Sequence, residues 1–339
     1  MKRKVLSVLL CAGMIATMLA GCGQKNEEAA APAADDSTAK ESPAADAAAS
    51  DDAAAPAADS GEKVKVILIT MDSSDQHWVS VDKGAKEEAE VLGNVDYKWM
   101  APDKKDDAQQ IERVNNAVAD GADAIMIAAN GPDAITAVLE DAKSQGVKII
   151  YVDSPANTEA EATFSTDNKA AGKTAGEEML KALEAAGKKD GKIGIVNISA
   201  STDSTANREA GFREAFEGSA YEILETQYGE GDAAKSQDIA DNYITDGCVG
   251  IFGCNEGATV GVGNAIKGAG GGVIGVGFDK SDAILGLIKD GSLVACMAQN
   301  PDVMGKMGMD AAVAAVKGEP IAETQVDTGV SVLTKDTIQ

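Results

Sequence analysis

The apolar and polar positions divide the chain into two unlike parts. From residue 63 onward, short apolar runs alternate with longer stretches of helical spacing. Apolar runs of strand length lie at 64–70 (VKVILIT), 124–128 and 147–152, and 95–100 can be a second strand. Between them, 78–92, 107–119 and 133–144 carry helical spacing, and Gly93, Gly121 and Gly146 follow their ends. A long helix is predicted over 169–186, and the rhythm restarts. Strands are predicted at 192–198, 221–226, 249–254, 273–278 and 293–298, and helices at 206–216, 233–245, 258–267, 282–289 and 303–317. Buried runs alternating with amphipathic helices, with glycine at helix ends, indicate βα repeats and parallel sheets. The 277 residues of this part are too many for one comfortable core and suit two domains.

The first 62 residues follow neither pattern. Lys2, Arg3 and Lys4 precede a short apolar stretch at 5–18, and Leu19-Ala20-Gly21-Cys22 resembles the lipobox of bacterial lipoproteins. The stretch is too short and wrongly flanked for a spanning helix and reads as a secretion signal. A lipobox implies cleavage before Cys22, lipidation of its thiol, and anchoring to a membrane by acyl chains. Residues 23–62 are mostly Ala, Asp, Glu, Pro and Ser, with ten acidic residues, two lysines and no aromatic. Such a composition cannot bury enough surface to offset its ordering entropy, so an extended acidic tether is expected.

Charge and cysteines narrow the function classes. Of the net −25, −20 falls on residues 63–339. Phosphate binding needs a basic face, so nucleic acid is not an expected partner. Cys11 lies in the signal, leaving Cys248, Cys254 and Cys296 in the body. An odd number without C-x-x-C spacing is neither a disulfide framework nor a zinc site; buried free thiols are expected, with one disulfide left open. Asp72 and Asp75 lack the 12-residue loop of a calcium site. The first strand is not followed by G-x-G-x-x-G, and the glycine run at 268–272 precedes a strand, so no metal, dinucleotide or other cofactor is expected.

The residues just past the strands are the informative ones. Asp72, Ser73, Ser74, Asp75, His77 and Trp78 follow the first, Asn130 the third, and Asp153 and Ser154 the fourth. Ser199, Ser201, Thr202, Asp203 and Arg208 follow the strand ending at Ile198; Asn255 and Glu256, Asp279, and Gln299 and Asn300 follow the last three. Ligands of parallel α/β sheets bind outside the carboxyl ends of strands. Carboxylates, amides, a guanidinium and an indole match a polyhydroxylated ligand whose hydroxyls both give and take hydrogen bonds. Any one carboxylate at a strand end is more often a helix N-cap than a ligand contact; the signal is the agreement of nearly all the strand ends. His77, the sole histidine, is equally a helix-start residue and a pocket-wall candidate, and Trp99 reads as structural.

The body resembles the type I periplasmic sugar-binding proteins, most closely their ribose-binding branch, over about 64–333. The stretches that carry the resemblance are WVSVDKGA at 78–85, TDN at 166–168 followed by AGKTAG at 171–176, REAGF at 208–212, FGCNE at 252–256, VGFD at 276–279 and AQ at 298–299. The resemblance implies an α/β fold of two Rossmann-like domains with parallel sheets, joined by a three-crossover hinge. The domains would span 63–165 plus 300–330 and 166–299 plus 331–339. A monosaccharide would lie between them, held by Asp75, His77 and Trp78, by Asp153 as acceptor, by Arg208 as donor with Asn255 and Asp279, and by Gln299 near the hinge.

Departures from the family pattern change the expected ligand. The aromatic pair of the first helix is His77-Trp78, an arginine of ribose binders is Ser154, an asparagine is Ala128 with Asn130 nearby, and an aromatic near Gly231 is absent. A sugar other than ribose is expected. Ser154 and the Asp203 region are similar to binders of the furanosyl autoinducer, whereas Arg208 and Asn255 speak for an ordinary sugar. Two classes remain open: a monomeric lipoprotein delivering a monosaccharide to an ABC permease of the simple-sugar type, and a sensor for a sugar-like signal. A sugar-modifying enzyme would need a working carboxylate pair and is not expected, so no catalytic residue is assigned. The export signal and the missing basic head exclude a DNA-binding regulator of the same fold.

Overall fold

The computed structural model describes residues 63–338. The expected signal and anchor at 1–22, with Cys11 and Cys22, and the tether at 23–62 lie outside the described residues. In chain order the elements are β1 (Val64–Ile69), α1 (Gln76–Leu92), β2 (Val95–Met100), α2 (Asp107–Ala119), β3 (Ala124–Ile127), α3 (Pro132–Ser144), β4 (Lys148–Val152), β5 (Ala162–Ser165), α4 (Asn168–Ala185), β6 (Gly191–Asn197) and α5 (Asp203–Ala215). They continue with β7 (Tyr221–Ile223), β8 (Gln227–Tyr228), α6 (Ala233–Thr245), β9 (Cys248–Gly253), α7 (Glu256–Gly268), β10 (Ile274–Phe278), α8 (Asp282–Asp290), β11 (Ala295–Gln299), α9 (Pro301–Lys317), β12 (Gln325–Asp327) and β13 (Val330–Leu333).

The strands form two sheets, ordered β12-β5-β4-β3-β1-β2 and β13-β11-β10-β9-β6-β7. The first is parallel throughout. Its interior strand β1 explains the apolar run: Val66 and Leu68 enter the core under α1 and α9, while Ile67 and Ile69 enter the one under α2 and α3. Strands covered on both faces need apolar residues at every position. The second sheet repeats the plan, with one core against α4 and α5 and another against α6, α7 and α8. We call each sheet with its helices a lobe.

The parallel expectation fails at β13, which runs antiparallel to β11, with Gln299 opposite Val330. Only Thr328 and Gly329 separate β12 from β13. So short a link joins the carboxyl edge of one sheet to the carboxyl edge of the other, and the chain can only run back down. The expected strand over 221–226 stops at Ile223 as β7, and β8 follows at Gln227–Tyr228, both on β6. Between them the Glu225 carbonyl accepts from the Tyr243 hydroxyl, and Thr226 bonds Glu209, which draws the chain off the ladder. The sequence reading also missed β5, β12 and β13; each has at most four residues and includes exposed or half-exposed positions.

The chain passes between lobes after β5, after β11 and after β12, and the three passages bond one another. Asp327 accepts from the backbone N–H groups of Asp167 (3.0 Å) and Gly329 (2.9 Å). Asn300 Nδ2 donates to the Thr328 carbonyl at 2.7 Å. Gly329, with φ of 79°, makes the turn a side chain would strain.

Candidate functional site

Two aspartates occupy equivalent places in the two lobes. Asp153 follows β4 and Asp279 follows β10, and both hold left-handed backbone, with φ of 68° and 74°. Each N–H continues the ladder, to Phe164 in one lobe and Met297 in the other, at 2.8 Å. Non-glycine residues in this region cost about 1–3 kcal/mol and persist where the surroundings over-determine them. Here the conformation turns both buried carboxylates toward one imidazole.

That imidazole is His77, the second residue of α1. Its Nε2 lies 2.9 Å from Asp153 Oδ2 and its Nδ1 3.6 Å from Asp279 Oδ1. Carboxylates only accept, so a ring with a carboxylate at each nitrogen is best satisfied as the doubly donating imidazolium. Burial favours the neutral ring, but the hydrogen bond and charge of Asp153, with Asp279 and Asp75, raise its pKa above the ordinary value. Burial likewise opposes ionisation of Asp153, yet His77 and Arg208 hold its pKa below the ordinary value. His77 also meets Trp78 edge-on, with centroids 4.6 Å apart.

Arg208 comes from α5 and is fixed from three sides. Nε donates to Asn168 Oδ1 at 2.8 Å, Nη1 donates to the Cys254 carbonyl at 3.0 Å, and the guanidinium lies 4.2 Å over the Phe278 ring. Nη2 has no hydrogen-bond partner and stands 4.0 Å from Asp153 Oδ2. Asn255 divides its amide similarly: Oδ1 caps α7 through the Ala258 N–H, and Nδ2 is unpartnered. Cap and candidate ligand contact are therefore one residue, not alternatives. Gln299 donates to Asp279 at 2.6 Å and accepts from Thr166 at 2.9 Å beside the first crossing.

All eight residues expected to hold the ligand line one central cavity of about 20 Å³: Asp75, His77, Trp78, Asp153, Arg208, Asn255, Asp279 and Gln299. That is about the room one water needs. Among the described residues, the buried side-chain atoms without a partner include Trp78 Nε1, Arg208 Nη2 and Asn255 Nδ2. All three are donors on cavity-lining residues, drawn from both lobes. The lobes touch around it: Ser154 and Ser204 hydroxyls are 2.8 Å apart, and Thr202 donates to the Asn130 carbonyl at 2.9 Å. A crevice of about 600 Å³ between the lobes shares His77, Asp279 and Gln299 with the cavity wall.

Other singled-out residues serve elsewhere. Asn130 turns its amide to Asp107 and is absent from the cavity wall. Ser154 bonds Asp153 at 2.6 Å. Asp203 bonds Asn207, and burial together with the Asp153 charge raises its pKa. Trp99 donates to Thr70 within the first lobe. Cys248, Cys254 and Cys296 are buried free thiols. Among the described residues no cluster of His, Cys, Asp and Glu is arranged to hold a metal ion.

Lys105 was missed. Its Nζ reaches Asp72 at 2.5 Å and Asp75 at 3.2 Å, and its stem packs where a Cβ on Gly231 of the second lobe would meet Cδ at 2.8 Å. Burial opposes its charge, but Asp75 and Asp72 raise its pKa. In sequence it sits in a mixed run, DKKDD at 103–107, which reads as solvated loop. The usable signal was its place beyond the carboxyl end of β2, the same edge that supplied the other site residues.

A family model described as a periplasmic binding protein domain matches residues 64–320. The chain belongs to this family. Its position is with the type I sugar-binding proteins, near the ribose branch. The ribose import binding protein of Haemophilus influenzae is 27% identical over 279 residues, covering 81% of this chain and 92% of that protein. A carbohydrate transporter solute-binding protein of Agrobacterium radiobacter, solved with D-arabinose, is 30% identical with a TM-score of 0.78, covering 81% of this chain and 95% of the other. An Agrobacterium vitis solute-binding protein, solved with D-fucose, is 29% identical with a TM-score of 0.76, covering 80% and 96%. The family works outside the cytoplasm, and among the described residues of this periplasmic binding protein no helix is long and apolar enough to cross a membrane.

Proposed function

We propose that this protein is a lipid-anchored, extracytoplasmic solute-binding protein that captures a monosaccharide between its lobes and delivers it to an ABC permease of the simple-sugar type. Cys22 carries the anchor, and the acidic tether at 23–62 holds the body off the membrane. The lobes, 63–165 plus 300–330 and 166–299 plus 331–339, move about the three bonded crossings. Opening widens the crevice, and a sugar bridging both lobes stabilises the closed form, whose shape the permease reads.

The observation that carries this reading is the set of three unpartnered buried donors, Trp78 Nε1, Arg208 Nη2 and Asn255 Nδ2, around one cavity with Asp153 and Asp279. A buried donor without a partner costs about 1–3 kcal/mol. Sugar hydroxyls would accept from all three and donate to the carboxylates. His77 bridges the two aspartates in the closed lobes, so it moves aside when a sugar enters. Ser154 and His77, where ribose binders carry an arginine and an aromatic, favour a sugar other than ribose.

Calorimetric titration of the purified protein with D-ribose, D-allose, D-arabinose, D-fucose, D-tagatose and the furanosyl autoinducer tests the reading. One tight ligand at unit stoichiometry is expected. No binding below millimolar concentration across the panel rejects monosaccharide capture, and selective binding of the autoinducer reassigns the protein to signal reception.

A further inference from the structure

Two carboxyl groups from opposite lobes meet at the first turn of α1. The His77 backbone N–H lies 3.1 Å from Asp75 Oδ1 and 3.3 Å from Glu256 Oε2. One donor shared by two carboxyl oxygens brings those side chains together. Asp75 caps α1 in the first lobe, and Glu256 is the first residue of α7 in the second. Lys83 and Lys280 line the same crevice as Glu256, and the cations of the cavity wall are engaged elsewhere in part. Lys105 bonds Asp72 and Asp75, the His77 ring faces Asp153 and Asp279, and Arg208 bonds Asn168 and the Cys254 carbonyl. Asp279 at the end of β10 adds a like charge to Glu256, and Asp282 and Asp302 line the same crevice.

We propose that Glu256 is a further determinant of capture: closing the lobes presses its carboxyl against Asp75, the two share one proton, and sugar binding therefore takes up a proton from solvent. The proposal rests on the capture reading above. Two adjoining carboxylates cannot both stay ionised at low cost. Lys105 decides which one holds the proton. Burial raises the pKa of Asp75, but Lys105 and the Glu256 hydrogen bond bring it down to about 2. Burial, then the hydrogen bond and charge of Asp75, push Glu256 up to about 9. Glu256 also lines the crevice between the lobes. With the lobes apart it titrates as an ordinary glutamate, near pH ~4.3.

The sign follows from the raised value. The closed, sugar-holding form gains most below the ordinary glutamate pKa and loses that gain as pH rises through about 9. Affinity therefore falls with rising pH over roughly pH 5–9, approaching tenfold per unit for one proton. Any proton exchanged by His77 as it moves aside is common to wild type and a Glu256 variant and cancels in their difference.

The test is calorimetric titration of the purified protein with the tightest sugar of the panel, near pH 7.5, in two buffers of very different ionisation enthalpy. Wild type is expected to take up close to one proton more than Glu256→Gln, and the variant to lose about one unit of slope in log affinity against pH. Equal uptake in both proteins overturns the proposal. Should that variant fail to fold, Glu256→Asp, whose shorter side chain withdraws the carboxyl from Asp75, replaces it with the same expected difference; zero uptake by wild type with flat affinity from pH 6 to 9 overturns the proposal with either variant. A sugar that binds without proton uptake leaves the capture reading standing. Absence of binding with every sugar ends both.

Discussion

The two lobes bring helices together by the same device and use it for different ends. In the first lobe, a Cβ on Gly84 of α1 would lie 2.0 Å from the Asp302 carbonyl, and one on Gly305 of α9 would lie 2.1 Å from the Val81 carbonyl. In the second, Gly172 of α4 faces the Arg208 carbonyl at 2.0 Å, and Gly211 of α5 faces the Lys169 carbonyl at 1.9 Å. Each pair lets two helix backbones touch where any side chain would hold them apart. In the second lobe the contact falls on Arg208 itself and sets its distance to Asn168. In the first lobe it lies a turn or more beyond His77 and Trp78, so the site there is held by charge: Lys105 with Asp72 and Asp75, and His77 with Asp153. One lobe places its donor by steric fit, the other places its groups by ion pairing.

The largest expected effect tests whether both lobes grip the ligand. Arg208→Ala in one and Asp153→Ala in the other should each weaken sugar binding by about 1.5–3 kcal/mol, as hydrogen bonds to charged groups do. Titration calorimetry measures both, and unchanged affinity in both variants moves the site elsewhere. Next come the glycines. Gly84→Ala and Gly172→Ala should each destabilise by roughly 1–3 kcal/mol, the cost of overpacking. Only Gly172→Ala should also lower sugar affinity, because it displaces Arg208. Equal affinity losses in the two variants, read beside chemical denaturation, would erase the contrast between fit and charge.

The charged lobe carries its own pH signature. His77 has a raised pKa, so its pairing with Asp153 stabilises fully below the ordinary histidine value of ~6.5 and is lost as pH rises through the raised one. Asp153 has a lowered pKa, so its share is present above ~3.9 and lost as pH falls toward the lowered value. Melting temperatures of wild type and His77→Asn should therefore diverge in mild acid and converge in alkali; a constant gap between pH 5 and 9 would contradict the pairing. The smallest effect is a control. Gly93 and Gly291 end α1 and α8 with φ of 72° and 86°. Alanine at either should cost roughly 1 kcal/mol of stability, the lower end for a left-handed L-residue, and leave sugar affinity unchanged.

Much of this was legible because it is periodic or positional. Continuous apolar runs such as 64–70 are required of strands covered on both faces, so the βα rhythm followed from composition along the chain. Eight of the polar strand-end residues, picked out of a longer set by the family resemblance, line the cavity because parallel sheets present one edge to a ligand. Short strands escaped: β12 and β13 have too few residues for a pattern and exist through their partners, Thr163–Ser165 and Cys296–Gln299. Lys105 escaped because its local sequence is that of a solvated loop.

The sequence by itself determined which edge of each sheet bears the chemistry, since strand direction and the residues after each strand are local facts. Only the tertiary structure decided how those residues share it. Asn255 splits its amide between a helix cap and the cavity, His77 stands between aspartates of different lobes, and Asp75 and Glu256 of opposite lobes share the His77 N–H. Each outcome depends on groups far apart in sequence arriving within hydrogen-bond reach, where burial and neighbouring charge, not residue type, set which atom keeps its proton and which donor is left over for a ligand.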